Sequence, residues 1–436
     1  MLVDEEARTL VRTGAWISVL YKAFTPYDQS APAFDPYETS ILAAKAGILL
    51  SSIRSLPVVT GKQFDVYRKL ARLKSRETDT VLKELQDIGA VTINTQQVDG
   101  RPAIHSVETA ATSKSEVFKT VGKLFESLSP SEQERATVAV LELTLPVPVP
   151  RAKVLSRLAA QGQKEEVIEG AVTHLVSVEL IRQTRETSGG EPILYNPYVY
   201  ASPSLDVRKI LKALKGIPYE HALAILEHIK TKPGVPLPAG MDENVLTLMV
   251  KMGLIDNSAI LARGGAHKKE FPTLPHVWGV FGAGDGALSE DLIDDSKLFL
   301  NSLRYGQFYS TSSRGRIDNP WVLVDRLIRR GEVGPATAIG EDYPLPLARG
   351  IVSIVESRLY AGRFHMQLRK TDVAEAVRDI IEQSAILPNR VVSGDQLGTT
   401  GEYFPPEVAR IEKQLPTELK LAADALAFEL RTHRKR

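Results

Sequence analysis

The stretch between residues 78 and 106 encodes a helix that leads directly into a β-hairpin, and this order of elements constrains the fold most. Four apolar residues recur at helical spacing and form one face of that helix: Val81, Leu82, Leu85 and Ile88. Gly89 follows at the position where helices commonly end on a left-handed residue. Segments 90–95 and 102–109 are rich in β-branched residues, and Asp99-Gly100 between them is a typical hairpin turn. The sequence therefore predicts a helix followed by two antiparallel strands.

Two further helices are predicted before this segment. Residues 40–55 form the first, residues 64–74 form the second, and Ser75 is suited to cap the helix that contains Val81. Three helices and a hairpin, in this order, are the elements of a winged helix-turn-helix. Residues 39–113 resemble that superfamily, and the resemblance implies a module that binds DNA or protein. The alternative is an αβ unit whose hairpin only covers a hydrophobic core.

The same order of elements recurs further along the chain. In a second copy, helices begin near residue 131, and Gly189-Gly190 join two predicted strands. In a third copy, Gly253 stands where Gly89 stands in the first, and Gly264-Gly265 supply the hairpin turn.

A fourth copy has the weakest sequence pattern. Gly350 ends a predicted helix, and two strands follow it. Three apolar residues alternate in the second of these strands: Phe364, Met366 and Leu368.

These repeats predict a mainly α protein with small β-hairpins, built from tandem winged-helix domains and a C-terminal helical region. The expected parts are an N-terminal helix with a proline-rich connector (1–38), winged helix 1 (39–115), winged helix 2 (116–203), winged helix 3 (204–283), a helical region with the fourth winged-helix-like unit (284–385), and a linker with a C-terminal helix and basic tail (386–436).

The first copy carries the residues expected to bind double-stranded DNA. Seven basic residues lie between positions 62 and 83: Lys62, Arg68, Lys69, Arg72, Lys74, Arg76 and Lys83. Only Asp65, Glu77 and Asp79 oppose them, which leaves a local excess of +4. Opposite the apolar face, the third helix presents residues able to bind bases and phosphates: Arg76, Thr80, Lys83 and Gln86. Arg101 follows the hairpin turn, where a basic tip could enter a minor groove. The alternative is that these side chains are merely solvated.

The later copies are less suited to DNA. The second presumed recognition helix begins with Lys164, Glu165 and Glu166, and Glu169 follows. The third begins with Asp242 and Glu243. Carboxylates in front of a phosphate backbone lower affinity, so these copies are expected to bind protein or to form a homodimer. The helix at 419–430 has a broad apolar face and is another candidate for association with a second chain.

Composition excludes several other functions. The chain of 436 residues carries a net charge of +1, so any electrostatic attraction to DNA must be local. It has no cysteine, which excludes disulfides and thiol chemistry. No apolar run approaches the ~20 residues of a membrane span, and the N-terminus is acidic where a signal peptide is basic. The expected location is the cytoplasm, without a membrane partner. No phosphate-binding loop, nucleophile elbow or metal-ligand spacing is found, so no cofactor, metal or catalytic residue is expected.

The leading hypothesis is a non-enzymatic protein that binds double-stranded DNA through winged helix 1. A transcription regulator or a replication-initiator-like protein fits that role. The alternative is a scaffold or subunit of a larger chromosome-organising or defence complex, in which all the modules bind protein. An enzyme with a dispersed catalytic site is a third class.

Overall fold

A computed structural model describes residues 2–54, 56, 58–98, 101–111, 114–185, 190–198, 207–214, 217–275, 290–310, 317–382 and 399–435. The chain divides into two compact units, Met1–Arg182 with Ser289–Asp291, and Gln183–Leu288 with Leu292–Arg436. It is mainly helical and contains small three-stranded sheets, which confirms the coarse fold class predicted from the sequence.

The first unit contains helices and short strands in an order that matches the predicted helix–hairpin pattern. The helices are α1 (Leu2–Phe24), α2 (Glu38–Ile53), α3 (Gly61–Leu70), α4 (Ser75–Asp87), α5 (Lys114–Ser127), α6 (Glu132–Thr144), α7 (Arg151–Ala159) and α8 (Glu165–Ser177). The strands are β1 (Val59–Thr60), β2 (Val91–Val98), β3 (Arg101–Thr109) and β4 (Val149–Pro150). A 3-10 helix, Pro32–Tyr37, precedes α2.

Helices α2, α3 and α4 and strands β1, β2 and β3 form the segment that the sequence pattern singled out. Strand β3 lies between β1 and β2, and its buried Val107 faces Val59 on one side and Ile93 on the other. Gly89 has a φ of 72°, so the predicted left-handed end of α4 is confirmed. The two predicted strands are paired antiparallel. The turn at Asp99-Gly100 lies outside the described residues.

One hydrophobic core connects this segment to α1 and α5. Ile17 and Tyr21 of α1 and Phe125 of α5 are buried in it. A Cβ atom on Gly14 of α1 would lie 2.1 Å from the Phe118 carbonyl oxygen of α5. Only glycine therefore permits the two helices to approach so closely.

The second unit continues from the predicted second hairpin. Its helices are α9 (Val207–Leu211), α10 (Ile217–Thr231), α11 (Glu243–Lys251), α12 (Glu290–Phe308), α13 (Pro320–Arg330), α14 (Thr337–Asp342), α15 (Pro344–Ala348), α16 (Thr371–Glu382), α17 (Pro406–Glu412) and α18 (Lys420–Lys435). Its strands are β5 (Arg182–Arg185), which contains the boundary between the units, β6 (Pro192–Tyr195), β7 (Asp256–Ala262), β8 (Lys268–Thr273), β9 (Glu332–Ala336), β10 (Val352–Glu356), β11 (Phe364–Leu368) and β12 (Thr400–Phe404).

The third sequence repeat forms a sheet that differs from that of the first. Strands β7 and β8 form the predicted hairpin, and Gly253 and Gly264 have positive φ angles. Residues 232–242, all of them described, contain no strand between α10 and α11. The third strand is β12, which pairs with β7 so that Tyr403 faces Ile260. A segment far away in sequence therefore completes this sheet.

The fourth repeat reproduces the element order of the first more closely than its sequence pattern suggested. The order α13, β9, α14, α15, β10, β11 repeats the order α2, β1, α3, α4, β2, β3. In both sheets the last strand lies between the other two. Met366 of β11 is fully buried, whereas Phe364 and Leu368 are half-buried.

Helix α18 is packed within the second unit. Ala423, Leu426, Ala427 and Leu430 are buried in a core that also contains Leu248 of α11. The apolar face that suggested association with a second chain is thus largely occupied by the same chain. Leu421 and Phe428 of this helix remain exposed.

Candidate nucleic-acid interface

Helix α4 has an apolar face and a polar face, as its sequence pattern predicts. Val81 and Leu85 have no exposed surface, and Leu82 has very little. On the other side of the helix, four polar candidates are exposed: Arg76, Thr80, Lys83 and Gln86. At 100° per residue they lie within about one third of the helix circumference. They therefore face solvent together.

Glu77 fixes the beginning of α4. Its Oε2 atom accepts a hydrogen bond from the Lys74 amide over 2.6 Å, and its Oε1 atom accepts one from Lys45 Nζ over 2.8 Å. The expected cap, Ser75, is instead the first helical residue, and Lys74 occupies the N-cap position. The expectation was wrong by one residue because the glutamate three positions after the cap satisfies the free amide.

The charge of Glu77 also depends on these contacts. Partial burial opposes its ionisation, but the hydrogen bonds from Lys45 and Lys74 outweigh burial, and the pKa of Glu77 lies below its ordinary value. The carboxylate is therefore anionic at neutral pH. It neutralises the nearly buried Lys45, which lies on α2.

Two of the predicted basic residues are engaged in the turn after α3. Arg68 donates to Asp65 Oδ1 through Nε and Nη2, over 3.0 and 2.6 Å, and to the Leu73 carbonyl oxygen over 2.8 Å. Lys69 Nζ lies 2.6 Å from Asp65 Oδ2. Hydrogen bonds from Lys69 and Arg68 lower the pKa of Asp65. Arg68 thus maintains the turn, and both cations share one carboxylate.

Arg72 has an unusual backbone conformation in the same turn. Its φ is 57°, in the left-handed region that residues other than glycine rarely adopt. Its amide donates to the Lys69 carbonyl oxygen, and the Leu73 amide donates to the Arg68 carbonyl oxygen. The side chain of Arg72 is exposed.

The predicted candidates are mostly available to a ligand. Eight are exposed: Lys62, Lys69, Arg72, Lys74, Arg76, Thr80, Lys83 and Gln86. Arg68 is half-buried, and the side chain of Arg101 lies outside the described residues. With respect to the carboxylates that the structure describes, Lys62, Arg76 and Lys83 form no ion pair.

Two carboxylates on α4 reduce the charge of the exposed face. Asp79 and Asp87 are both exposed, and helical geometry puts them on the same side as Arg76 and Lys83. The net charge of that face is therefore close to zero. The near-zero charge of this face could have been predicted from the sequence, because positions 76, 79, 83 and 87 recur at helical spacing. The local positive excess comes from α3 and the turn that follows it.

An apolar feature adjoins the basic residues of α3. Val66 is 55% exposed and Leu70 is 43% exposed, and Val58 just before β1 is exposed as well. At helical spacing, Val66 lies between Lys62 and Lys69. The exposed side of α3 is therefore a mixture of cationic and apolar groups, which suits a protein surface as well as a nucleic acid.

The corresponding helices of the next two repeats differ from α4. On α8, Glu165 and Glu166 are exposed, while Glu169 pairs with Arg151. On α11 most side chains are buried. Asp242 caps that helix by accepting hydrogen bonds from the amides of the two residues that follow Glu243. Neither helix presents a cationic face.

A segment rich in arginine and aromatic residues around position 305 is largely internal. Arg304 and Tyr305 of α12 are buried, and so is Tyr309 just after the end of this helix. Burial lowers the pKa of Arg304 to about 10, and its Nη2 atom donates to the Pro233 carbonyl oxygen. Arg314 and Arg316 lie outside the described residues. These buried groups are not available to stack on a single strand.

Other kinds of site have little support in the described part of the chain. It contains no group of three or more histidine, cysteine or acidic residues placed to hold a metal ion. None of its helices combines the length and the apolar character needed to cross a membrane. The sequence matches no family model, and comparison with curated proteins and with solved structures found no match. The assignment of function therefore depends on the residues of α3 and α4 themselves.

Proposed function

We propose that Glu38–Thr109 is a winged helix-turn-helix domain that binds double-stranded DNA. The support is its element order, helix, strand, helix, helix and hairpin, together with a sheet in which the last strand is central. This is the arrangement in which a third helix is held for insertion into a major groove. Pro320–Leu368 shares the order and is proposed to share the fold.

The observation that carries the proposed function is the exposure of cations on α3 and α4 that form no ion pair with any carboxylate in the described part of the chain. Arg76 and Lys83 face solvent on the presumed recognition helix, and Lys62 does so on α3. Thr80 and Gln86 offer donors and acceptors for base edges. Arg72 and Lys74 in the intervening turn are placed to bind phosphates. Arg68 is excluded from this role because the turn itself uses its guanidinium group.

The proposed role is control of transcription, with replication initiation as a related possibility. Both require a protein that holds duplex DNA at a defined position without altering it chemically. In this role, phosphate contacts set affinity and register, while base contacts set the sequence preference.

The experiment is duplex binding by the full chain and by the variant Arg76→Ala/Lys83→Ala. With about five phosphate contacts, parent affinity should fall by roughly 500-fold between 50 and 200 mM salt. The double variant should lose measurable binding at the higher salt concentration. The matched control is Lys153→Ala/Arg157→Ala on α7, where both side chains are also exposed. Equal binding by the Arg76/Lys83 variant and the parent would refute the assignment of α4.

A second candidate function is a scaffold subunit whose modules bind protein. The exposed Val58, Val66 and Leu70, together with Asp79 and Asp87 on α4, favour it. A scaffold would show no duplex affinity at moderate salt and would retain a protein partner on purification from its host. Val66→Ser/Leu70→Ser would then release the partner, whereas under the first proposal this variant would leave duplex binding nearly unchanged.

A further inference from the structure

The hairpin β10–β11 ends in a loop, residues 357–363, that exposes large apolar side chains. Leu359 is 85% exposed and Tyr360 is 53% exposed. Arg358 and Arg363 flank them and are exposed as well. Isolated exposed leucines are common, but an exposed leucine and tyrosine between two arginines form a small amphipathic tip.

The conformation of this tip loop is fixed by local contacts. The Ser357 amide donates to the Arg363 carbonyl oxygen over 2.7 Å, and the Arg363 amide donates to that of Tyr360 over 3.2 Å. The Arg363 guanidinium group lies 5.4 Å from the centre of the Tyr360 ring. The side chains are therefore held outward by an ordered turn, so binding would require little further ordering.

The helix before this hairpin cannot perform the role proposed for α4. Helix α15 occupies the equivalent position in the order of elements, but it has five residues, Pro344–Ala348, and none of them is charged. Any nucleic-acid contact of Pro320–Leu368 must therefore use the hairpin and its neighbours.

Further cations lie along the outer face of the same sheet. Strand β11 turns the buried Met366 inward, so His365, Gln367 and Arg369 face outward. A groove of 530 Å³ on this face is lined by Arg330 and Arg369, and also by Glu332, which carries the opposing charge. Arg330 forms no ion pair with the carboxylates that the structure describes.

The spacing of these groups fits a duplex. Residues 363 and 369 are separated by six residues of extended chain, which is about 20 Å at 3.3 Å per residue. That length corresponds to about six base pairs. One end of the face carries Leu359 and Tyr360 between two arginines, and the other end carries Arg330 and Arg369 together with Glu332.

We propose that the loop Ser357–Arg363 inserts into the minor groove of double-stranded DNA. Leu359 and Tyr360 act as wedges against the base edges, Arg358 and Arg363 occupy the groove beside them, and Arg330 and Arg369 bind the neighbouring backbone. The proposal shares its ligand with the function proposed for α4, but it uses different residues. Each can therefore fail alone.

The test uses the full chain and a duplex of about 25 base pairs that carries a fluorophore at each end. The parent should shorten the end-to-end distance because apolar wedges kink a duplex. Leu359→Ser/Tyr360→Ser should abolish the kink and weaken binding at least about tenfold. Arg358→Gln/Arg363→Gln should weaken binding to a similar degree, and a minor-groove ligand should compete with the parent. Leu421→Ser, at a leucine that is 80% exposed on α18, is the matched control and should change neither quantity.

Arg76→Ala/Lys83→Ala distinguishes the two proposals. If that variant loses affinity while the tip variants bind and bend DNA as the parent does, the tip proposal is wrong and the α4 proposal stands. If only the tip variants lose affinity, the α4 proposal is wrong instead. A third result would assign the tip to a lipid surface and overturn the inference. In that result the parent binds vesicles of phosphatidylcholine and phosphatidylserine and the tip variants do not, while parent and tip variants bind and bend DNA equally.

Discussion

Lys45 Nζ on α2 donates a hydrogen bond to Glu77 Oε1 on α4 over 2.8 Å, and the Lys45 side chain is almost completely buried. The same carboxylate accepts the Lys74 amide at the beginning of α4. One acidic residue therefore connects the proposed recognition helix to the helix behind it and also caps it.

Glu77→Gln should destabilise the first unit, because it leaves Lys45 without an anionic partner. Hydrogen bonds to charged groups contribute about 1.5–3 kcal/mol, and partial exposure of Glu77 reduces the expected cost to about 1–2 kcal/mol. The folded-state pKa of Glu77 is lowered, so this stability is present above the unfolded pKa of about 4.3 and is lost as pH falls through the folded value. Denaturant unfolding of parent and variant at several pH values measures it.

The control for this prediction is Glu84→Gln, on the same helix, where the structure describes no partner for the carboxylate. It should leave stability nearly unchanged. A difference between parent and Glu77→Gln that persists undiminished at pH 3 would contradict the role of the ionised carboxylate.

Arg72 and Arg68 should respond in opposite ways to substitution. Arg72→Gly removes a charge but suits the left-handed backbone, so stability should be kept or raised by up to about 1 kcal/mol. The slope of log affinity against log salt should become shallower by about 0.9.

Arg68→Gln should lower stability by about 1–2 kcal/mol, because the Leu73 carbonyl and Asp65 lose their donor. It should leave the slope unchanged. If the salt slope became shallower in Arg68→Gln than in Arg72→Gly, the phosphate contact would belong to Arg68 and not to Arg72.

Local features of the fold were accessible from the sequence where one residue type determines the geometry. Glycine at positions 89 and 253 indicated left-handed helix ends, and both have positive φ. The apolar spacing of α4 identified its buried face. Arg72 gave no such signal, because its left-handed conformation depends on hydrogen bonds between neighbouring backbone groups.

Long-range features were not accessible in this way. The pairing of β12 with β7 joins segments about 140 residues apart in the numbering, and no local pattern in residues 400–404 identifies their partner. The role of Asp242 as a helix cap could have been inferred, because aspartate before an apolar helix is a common cap. At the candidate site, Asp79 and Asp87 were predictable by helical spacing, whereas the contacts of Arg68 were not.

His174 should make the first unit sensitive to acid. It stacks on Tyr37 with ring centres 4.4 Å apart, and Phe24 and Phe34 contact it edge-on. Burial lowers its pKa. Stability is therefore fully present above the unfolded pKa of about 6.5 and falls by up to about 1.4 kcal/mol per pH unit until the lowered folded pKa is passed.

The measurement is the free energy of unfolding of the parent and of His174→Phe between pH 8 and about pH 4.5. The variant should lack the acid-dependent loss that arises in this interval. His105→Gln, at an exposed histidine of β3, is the control and should behave as the parent does. A parent and a His174→Phe variant with parallel pH profiles would contradict the prediction.

Asp256 should be essential for attachment of the C-terminal segment. Its two oxygen atoms lie 2.7 Å from Lys297 Nζ and 2.5 Å from Arg410 Nη2, and all three side chains are buried. Burial alone would raise the pKa of Asp256, but the charges of Lys297 and Arg410 outweigh it and lower the pKa. Asp256→Asn removes the carboxylate that the two buried cations share, which should cost about 3–5 kcal/mol.

Urea unfolding and limited proteolysis after residue 399 measure this effect. Asp379→Asn, which removes an exposed partner of Arg378, is the control and should cost less than about 1 kcal/mol. Unchanged unfolding and unchanged protease resistance in Asp256→Asn would show that the buried carboxylate of Asp256 does not hold β12 and α17 in place.

Removal of the carboxylates on α4 should strengthen DNA binding. Asp79 and Asp87 share the exposed face with Arg76 and Lys83, so Asp79→Asn/Asp87→Asn relieves repulsion of phosphates. Affinity at moderate salt should rise several-fold, roughly 1 kcal/mol or less. Glu165→Gln/Glu166→Gln, at the start of α8, is the matched control and should leave affinity unchanged. A gain only in the α8 variant would place the duplex on the second repeat.

The most direct test of the central claim is the salt dependence of duplex affinity in the parent and in Lys62→Gln/Arg76→Gln/Lys83→Gln. If Lys62, Arg76 and Lys83 all contact phosphates, the slope of log affinity against log salt should be less steep by about 2.7 in the variant than in the parent. Equal slopes in the two proteins, or no salt-dependent binding by the parent, would contradict DNA binding by α3 and α4.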